Sequence, residues 1–88
     1  MYNYLAEFLG ALILAYVILA TTNPIAIGIA YTVLLLLFSS VTNGYFNPAI
    51  TILMASINEL PLSNVIPYSL SQIMGALTGV EIYKRFKF

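Results

Sequence analysis

Three apolar runs, at residues 5–20, 25–41 and 65–83, fill most of the 88-residue chain. Each is close to the roughly 20 residues that a helix needs to cross the hydrocarbon core of a bilayer. A soluble domain keeps about a quarter of its residues charged, whereas this chain is 7% charged and 61% hydrophobic. Lipid is therefore the expected solvent for most of its side chains, and the chain reads as an integral, multi-pass membrane protein. Net charge is zero, and the basic residues Lys84, Arg85 and Lys87 all follow the third run. No basic stripe exists for nucleic acid to follow, so that partner class is excluded. The positive-inside rule puts this C-terminal end in the cytoplasm and the N-terminus outside.

Cysteine and histidine are both missing, which removes disulfides, thiol catalysis and the usual zinc patterns. No metal or cofactor is expected. The first run opens without a basic leader, and no small-residue cleavage site precedes a hydrophilic segment, so no cleaved signal peptide is expected.

The breaks between runs carry helix signals. At Thr21-Thr22-Asn23-Pro24, proline disfavours helix in the residue before it and suits the first turn of the next, which predicts a tight helical hairpin with a second helix over residues 24–41. Ser63 is the expected N-cap of a third span over 63–83, with Pro67 near its first turn. Glu59-Leu60-Pro61 reads as a surface turn.

Residues 42–56 are too long for a turn and too apolar for an ordinary surface loop. Asn43-Gly44 is a turn signal, and Asn47-Pro48 is the pairing expected at a helix start, cap followed by first helical position. A helix from Asn47 to about Ser56 would reach only about 15 Å, half the hydrocarbon thickness. Non-helical backbone at membrane depth is tolerated where it is buried in protein or lines a watery cavity. Residues 42–56 are thus expected to re-enter the membrane and end in a half-helix facing a pore. Its unpaired amides and dipole would present partial positive charge, which repels protons and cations. The Asn47 oxygen would cap the helix and leave the amide NH2 to donate to a passing molecule.

Glu7 is an acid near the start of the first span, where carboxylates face inward and find partners; the alternative is that it reaches the interface from the helix end. Gly10, Ala11 and Ala15 share its face, so that face is expected to pack, with Glu7 accepting hydrogen bonds from the re-entrant loop. Gln72, Gly75, Ala76 and Gly79 make a small-residue stripe for close helix packing, and Gly28, Thr32, Leu35 and Ser39 make a similar stripe, expected to pack, with pore lining as the alternative. Tyr2, Tyr4, Tyr68 and Tyr83 lie near span ends as an interfacial belt would. No nucleophile–base pair accompanies Glu7 and Glu59, so an enzyme is not expected.

Ala6-Glu7-Phe8-Leu9-Gly10, Gly44-Tyr45-Phe46-Asn47-Pro48-Ala49-Ile50-Thr51 and Ser71-Gln72-Ile73-Met74-Gly75-Ala76 resemble, in order, the first helix, signature loop and third helix of the aquaporin or major intrinsic protein family. The resemblance implies an all-α membrane protein forming one half repeat, with three transmembrane helices plus one re-entrant half-helix. Family members carry two such repeats in inverted orientation, with two half-helices meeting mid-membrane. It also implies that Asn47 donates to a single-file permeant, that Pro48 and Ala49 stack on a facing half-helix, and that Glu7 braces the loop. Tyr45 stands where the family usually has histidine, which should narrow or reshape the mouth on that side, and Ile50 stands where its second repeat has the filter arginine. Filter positions on the second helix fall at Ile27 or Leu35, so two copies of this chain would line each mouth with apolar side chains plus Gly44.

The expected function is a passive channel for water or small neutral solutes such as glycerol. Its pore would be completed by a second repeat, either another copy in an inverted dimer, gathered further into a tetramer of dimers, or a separate partner. The alternative is a non-conducting membrane subunit that associates with a full-length channel.

Overall fold

The computed structural model describes residues 2–86. It contains helices α1 (Tyr2–Ala20), α2 (Pro24–Phe38), α3 (Pro48–Ser56) and α4 (Val65–Arg85), with a 3-10 turn at Leu62–Asn64 before α4. No strand occurs among the described residues. At 1.5 Å per residue the helices are about 28, 22, 14 and 32 Å long, and the molecule measures 39 × 24 × 20 Å. Within Asn3–Ala20, α1 is both long and apolar enough to cross a membrane, while α2 is apolar but shorter.

The frame is the pairing of α1 with α4; α2 packs on α1, and α3 on α4. Glycine makes the central pairing possible. A Cβ on Gly75 would collide with the backbone carbonyl of Phe8, and one on Gly79 would lie 2.6 Å from the Leu12 carbonyl oxygen. The two backbones touch along the expected stripe, as small residues four apart allow. A Cβ on Gly10 would likewise strike the Phe46 ring.

Both asparagine–proline pairs begin helices. Asn23 Oδ1 accepts from the amides of Ile25 and Ala26 at 2.9 and 3.4 Å, and Asn47 Oδ1 accepts from Ala49 at 2.8 Å. Helix α3 stops because Asn58 takes a left-handed φ of 64°. The Asn58 amide then reaches the Ala55 carbonyl at 3.1 Å and the Glu59 amide reaches Met54 at 2.9 Å, the paired bonds of a Schellman ending.

Several expectations need correction. Helix α1 starts at Tyr2, so Glu7 lies in its second turn. Helix α2 ends at Phe38, three residues early, where the Val41 and Thr42 amides fold back onto the Phe38 carbonyl. Ser63 lies in the 3-10 turn and does not cap α4, which starts at Val65. The face of α2 bearing Gly28, Thr32 and Ser39 is exposed, with open space over Gly28; Leu34, 3% exposed, is the side chain that α2 buries. Leu60 is 4% exposed and anchors the turn that it was expected to leave at the surface.

Tyr68 is not a belt residue: it is buried with Tyr45, Ala55 and Leu60, and Tyr4 packs on that cluster. Tyr83 meets Tyr16 edge-on at 5.8 Å. The Tyr2 side chain and Lys87 lie outside the described residues. Lys84 and Arg85 both approach Glu81, at 3.9 and 2.8 Å, on the exposed end of α4.

Candidate functional site

The segment between α2 and α3 is arranged around one carboxylate. Glu7 is fully buried. Its Oε2 accepts from Thr42 Oγ1 at 2.7 Å and from the amides of Gly44 and Tyr45 at 3.1 and 3.2 Å. Its Oε1 accepts from the Phe46 amide at 2.8 Å and from Gln72 Nε2 at 2.7 Å. Three consecutive amides converge on one anion, as in a backbone nest. A buried carboxylate unpaired in an apolar interior would be very costly; here each oxygen is occupied by short donors.

That convergence requires unusual backbone. Gly44 has φ 72° and Phe46 has φ 55°. Glycine takes this region freely, but for a bulky residue it costs on the order of 1–3 kcal/mol and persists only where the surroundings determine it. Phe46 is so determined. Its amide is held by Glu7 and its ring lies against Gly10, with Tyr31 and Phe38 edge-on at 6.1 Å each.

The network continues into α3. Gln72 Nε2 also lies 2.8 Å from Thr51 Oγ1, and Thr51 Oγ1 lies 3.1 Å from the Asn47 carbonyl oxygen. With the Gln72 amide donating to both Glu7 and Thr51, the threonine hydroxyl donates to Asn47. Thr51 and Gln72 are 0% and 1% exposed. Among the described residues no buried side-chain nitrogen or oxygen lacks a partner. Glu7 on α1 and Gln72 on α4 thus fix both the loop and the first turn of the half-helix.

Asn47 stands at the tip of this assembly, exposed. Its Oδ1 is used by the cap, so the amide NH2 remains to donate outward. Beside it lies a groove of about 300 Å³ between α1 and α4, into which Asn47 and Pro48 project above Ala11, Ala15 and Ala76. Ala49 is exposed and Pro48 half-buried.

The other residues singled out from the sequence divide. Leu35 and Gly44 come together: a Cβ on Gly44 would lie 2.7 Å from Leu35 Cδ2. Ile27 lies on α2 two turns before Leu35 and is half-buried. Tyr45, expected at a mouth, turns inward. Its side chain is 6% exposed and turned into the cluster with Ala55, Leu60 and Tyr68, because its amide is drawn to Glu7 while its carbonyl is held by Tyr31 at 3.0 Å. Ile50 packs against the same cluster.

Thr42, Phe46, Thr51 and Tyr31 were passed over in the sequence, and Gln72 was read only as packing. Spacing held a signal for two of them. Thr51 follows Asn47 by one helical turn, and Tyr31 falls midway between Ile27 and Leu35.

Comparison with known proteins identifies the family. The family model described as Major intrinsic protein matches residues 1–87. Glycerol uptake facilitator protein-like 6 of Lactiplantibacillus plantarum is 35% identical over 98% of this chain and 44% of its own length. Lens fiber major intrinsic protein of Gallus gallus is 31% identical over 89% of the chain and 34% of its length. Aquaporin Z of Brucella melitensis is 29% identical over 88% of the chain and 40% of its length. The chain spans less than half the length of these relatives, and no solved structure is a significant match. With the match running across the asparagine-capped half-helix and both helices that brace it, this chain belongs to the major intrinsic protein family.

Proposed function

We propose that this chain is one repeat of a passive membrane channel for water or small neutral solutes, with α1, α2 and α4 crossing the bilayer and residues 42–56 re-entering it. The observation that carries the reading is Asn47. An exposed side-chain amide sits at the N-terminus of a nine-residue helix whose preceding loop is locked by a fully buried acid. A donor and a positive helix end fixed at one point suit a neutral hydrogen-bonding permeant and oppose cations and protons. Relatives named aquaporin and glycerol uptake facilitator favour the same solute class.

Helix α3 reaches only about halfway across a bilayer core, so the conduit needs a second repeat. The groove between α1 and α4 opens at the tip of α3 and suits the end of a facing half-helix, with Pro48 and Ala49 as its contacts. Another copy of the chain in inverted orientation, or a partner repeat, would supply it. Leu35 and Gly44, with Ile27 further along α2, would line one mouth. Tyr45 contributes backbone only.

Osmotic shrinkage of proteoliposomes carrying the protein tests the proposal. Water flux above that of empty vesicles is expected, and flux equal to theirs would refute it. A cysteine placed at each terminus of this cysteine-free chain and labelled from either side would show whether it inserts in one orientation or two. Two orientations are expected of an inverted homodimer, and a single one would require a partner repeat.

A further inference from the structure

Helix α2 meets the re-entrant loop along a stripe of positions one turn apart. Leu35 touches Gly44, Phe38 meets the Phe46 ring, and Tyr31 meets both the Phe46 ring and the Tyr45 carbonyl. Ile27, Tyr31 and Leu35 are spaced i, i+4, i+8 and so share one face. A wall formed by Ile27 and Leu35 must include the residue between them. Tyr31 is the largest of the three and the one that carries a hydrogen-bonding group.

Its hydroxyl is already committed. The amides of Gly44, Tyr45 and Phe46 turn toward Glu7, while the Tyr45 carbonyl turns toward α2, where Tyr31 Oη donates to it at 3.0 Å. One of the two lone pairs of that loop carbonyl is thereby used, and the loop is tied to α2. Its two contacts are the residues immediately before Asn47. Tyr31 remains half-buried, with part of its surface uncovered.

We propose that Tyr31 is a specificity-determining residue. Its ring narrows the conduit between Leu35 and the loop that leads to Asn47, and its hydroxyl holds the ring there through the Tyr45 carbonyl, so that water passes in preference to polyols. This rests on the channel reading above and assigns the substrate class within it. A polyol needs more width than water, and the Tyr31 ring, tied in place through its hydroxyl, takes that width away.

The test measures water and glycerol permeability of proteoliposomes carrying the wild type, Tyr31→Phe and Tyr31→Val, normalised to incorporated protein with helix content checked. Tyr31→Val should raise the glycerol-to-water permeability ratio about three- to tenfold, the size expected from one hydrogen bond and a relieved contact. Tyr31→Phe, which keeps the ring, should raise it by less. A ratio unchanged in both variants, with the wild type conducting, would overturn the assignment and leave the channel intact. A wild type that conducts neither solute would overturn both. A change in overall flux at constant ratio marks a purely structural tyrosine and also counts against the assignment.

Discussion

The Glu7 carboxylate and the Gln72 amide meet at 2.7 Å in the buried interior, 65 positions apart in the chain. Through that contact α1, which holds the loop amides, is coupled to α4, which holds the half-helix through Thr51. Glu7→Gln keeps the shape of the side chain but replaces one acceptor oxygen with an NH2 group facing two or three donors. Each buried donor left unpaired costs about 1–3 kcal/mol, so a loss of about 2–9 kcal/mol is expected. Thermal unfolding in detergent reads it, and a stability equal to the wild type would show that Glu7 does not hold the loop.

Thr51 and Gln72 form the second link, and a double-mutant cycle isolates it. Thr51→Val leaves a Gln72 N–H without its acceptor and should cost about 1–3 kcal/mol. Combined with Gln72→Leu it should show a coupling energy of about 0.5–3 kcal/mol, because the two side chains are in direct contact. Strictly additive losses, measured by unfolding of the four proteins, would mean that the pair is not a working hydrogen bond.

Two glycines give opposite predictions for the same substitution. Gly75→Ala places a methyl group against the Phe8 backbone carbonyl, and forcing α1 from α4 should cost about 1–3 kcal/mol or more. Gly28→Ala meets open space on an exposed helical face and should stabilise by about 0.5–1 kcal/mol. Melting temperatures that move in the same direction would contradict the α1–α4 packing described here.

Much of this arrangement is legible in the sequence, and the reasons differ by element. Asn23-Pro24 and Asn47-Pro48 each fix a helix start through local capping chemistry, which needs no tertiary partner. What separates them is the backbone that comes before. Asn23 follows a short surface turn, whereas Asn47 follows amides drawn to Glu7, and an acid within an apolar run together with the Asn43-Gly44 turn pointed to that. The direction of Tyr45 was not legible. A residue in irregular backbone has no periodicity to fix its face, and its side chain goes inward only because Glu7 and Tyr31 claim its amide and carbonyl from opposite sides. Tyr68 was misread for a related reason, since a tyrosine near a span end suits a membrane interface as well as a buried cluster. The early end of α2 came from the same tertiary pull, which draws Thr42 to Glu7.

The two caps also provide the most direct test of the role given to Asn47. Aspartate caps a helix as well as asparagine does but has no NH2 to donate. Asn47→Asp should therefore keep the half-helix and lower water flux in proteoliposomes by about tenfold or more, as loss of a charge-compatible donor in a confined path implies. Asn23→Asp, the same change at the cap of α2, should leave flux within about twofold of the wild type, since an exposed substitution shifts energies by only about 0.5 kcal/mol. If the two variants conduct equally, whether both unchanged or both impaired, Asn47 is only a helix cap and the conduit does not run past it.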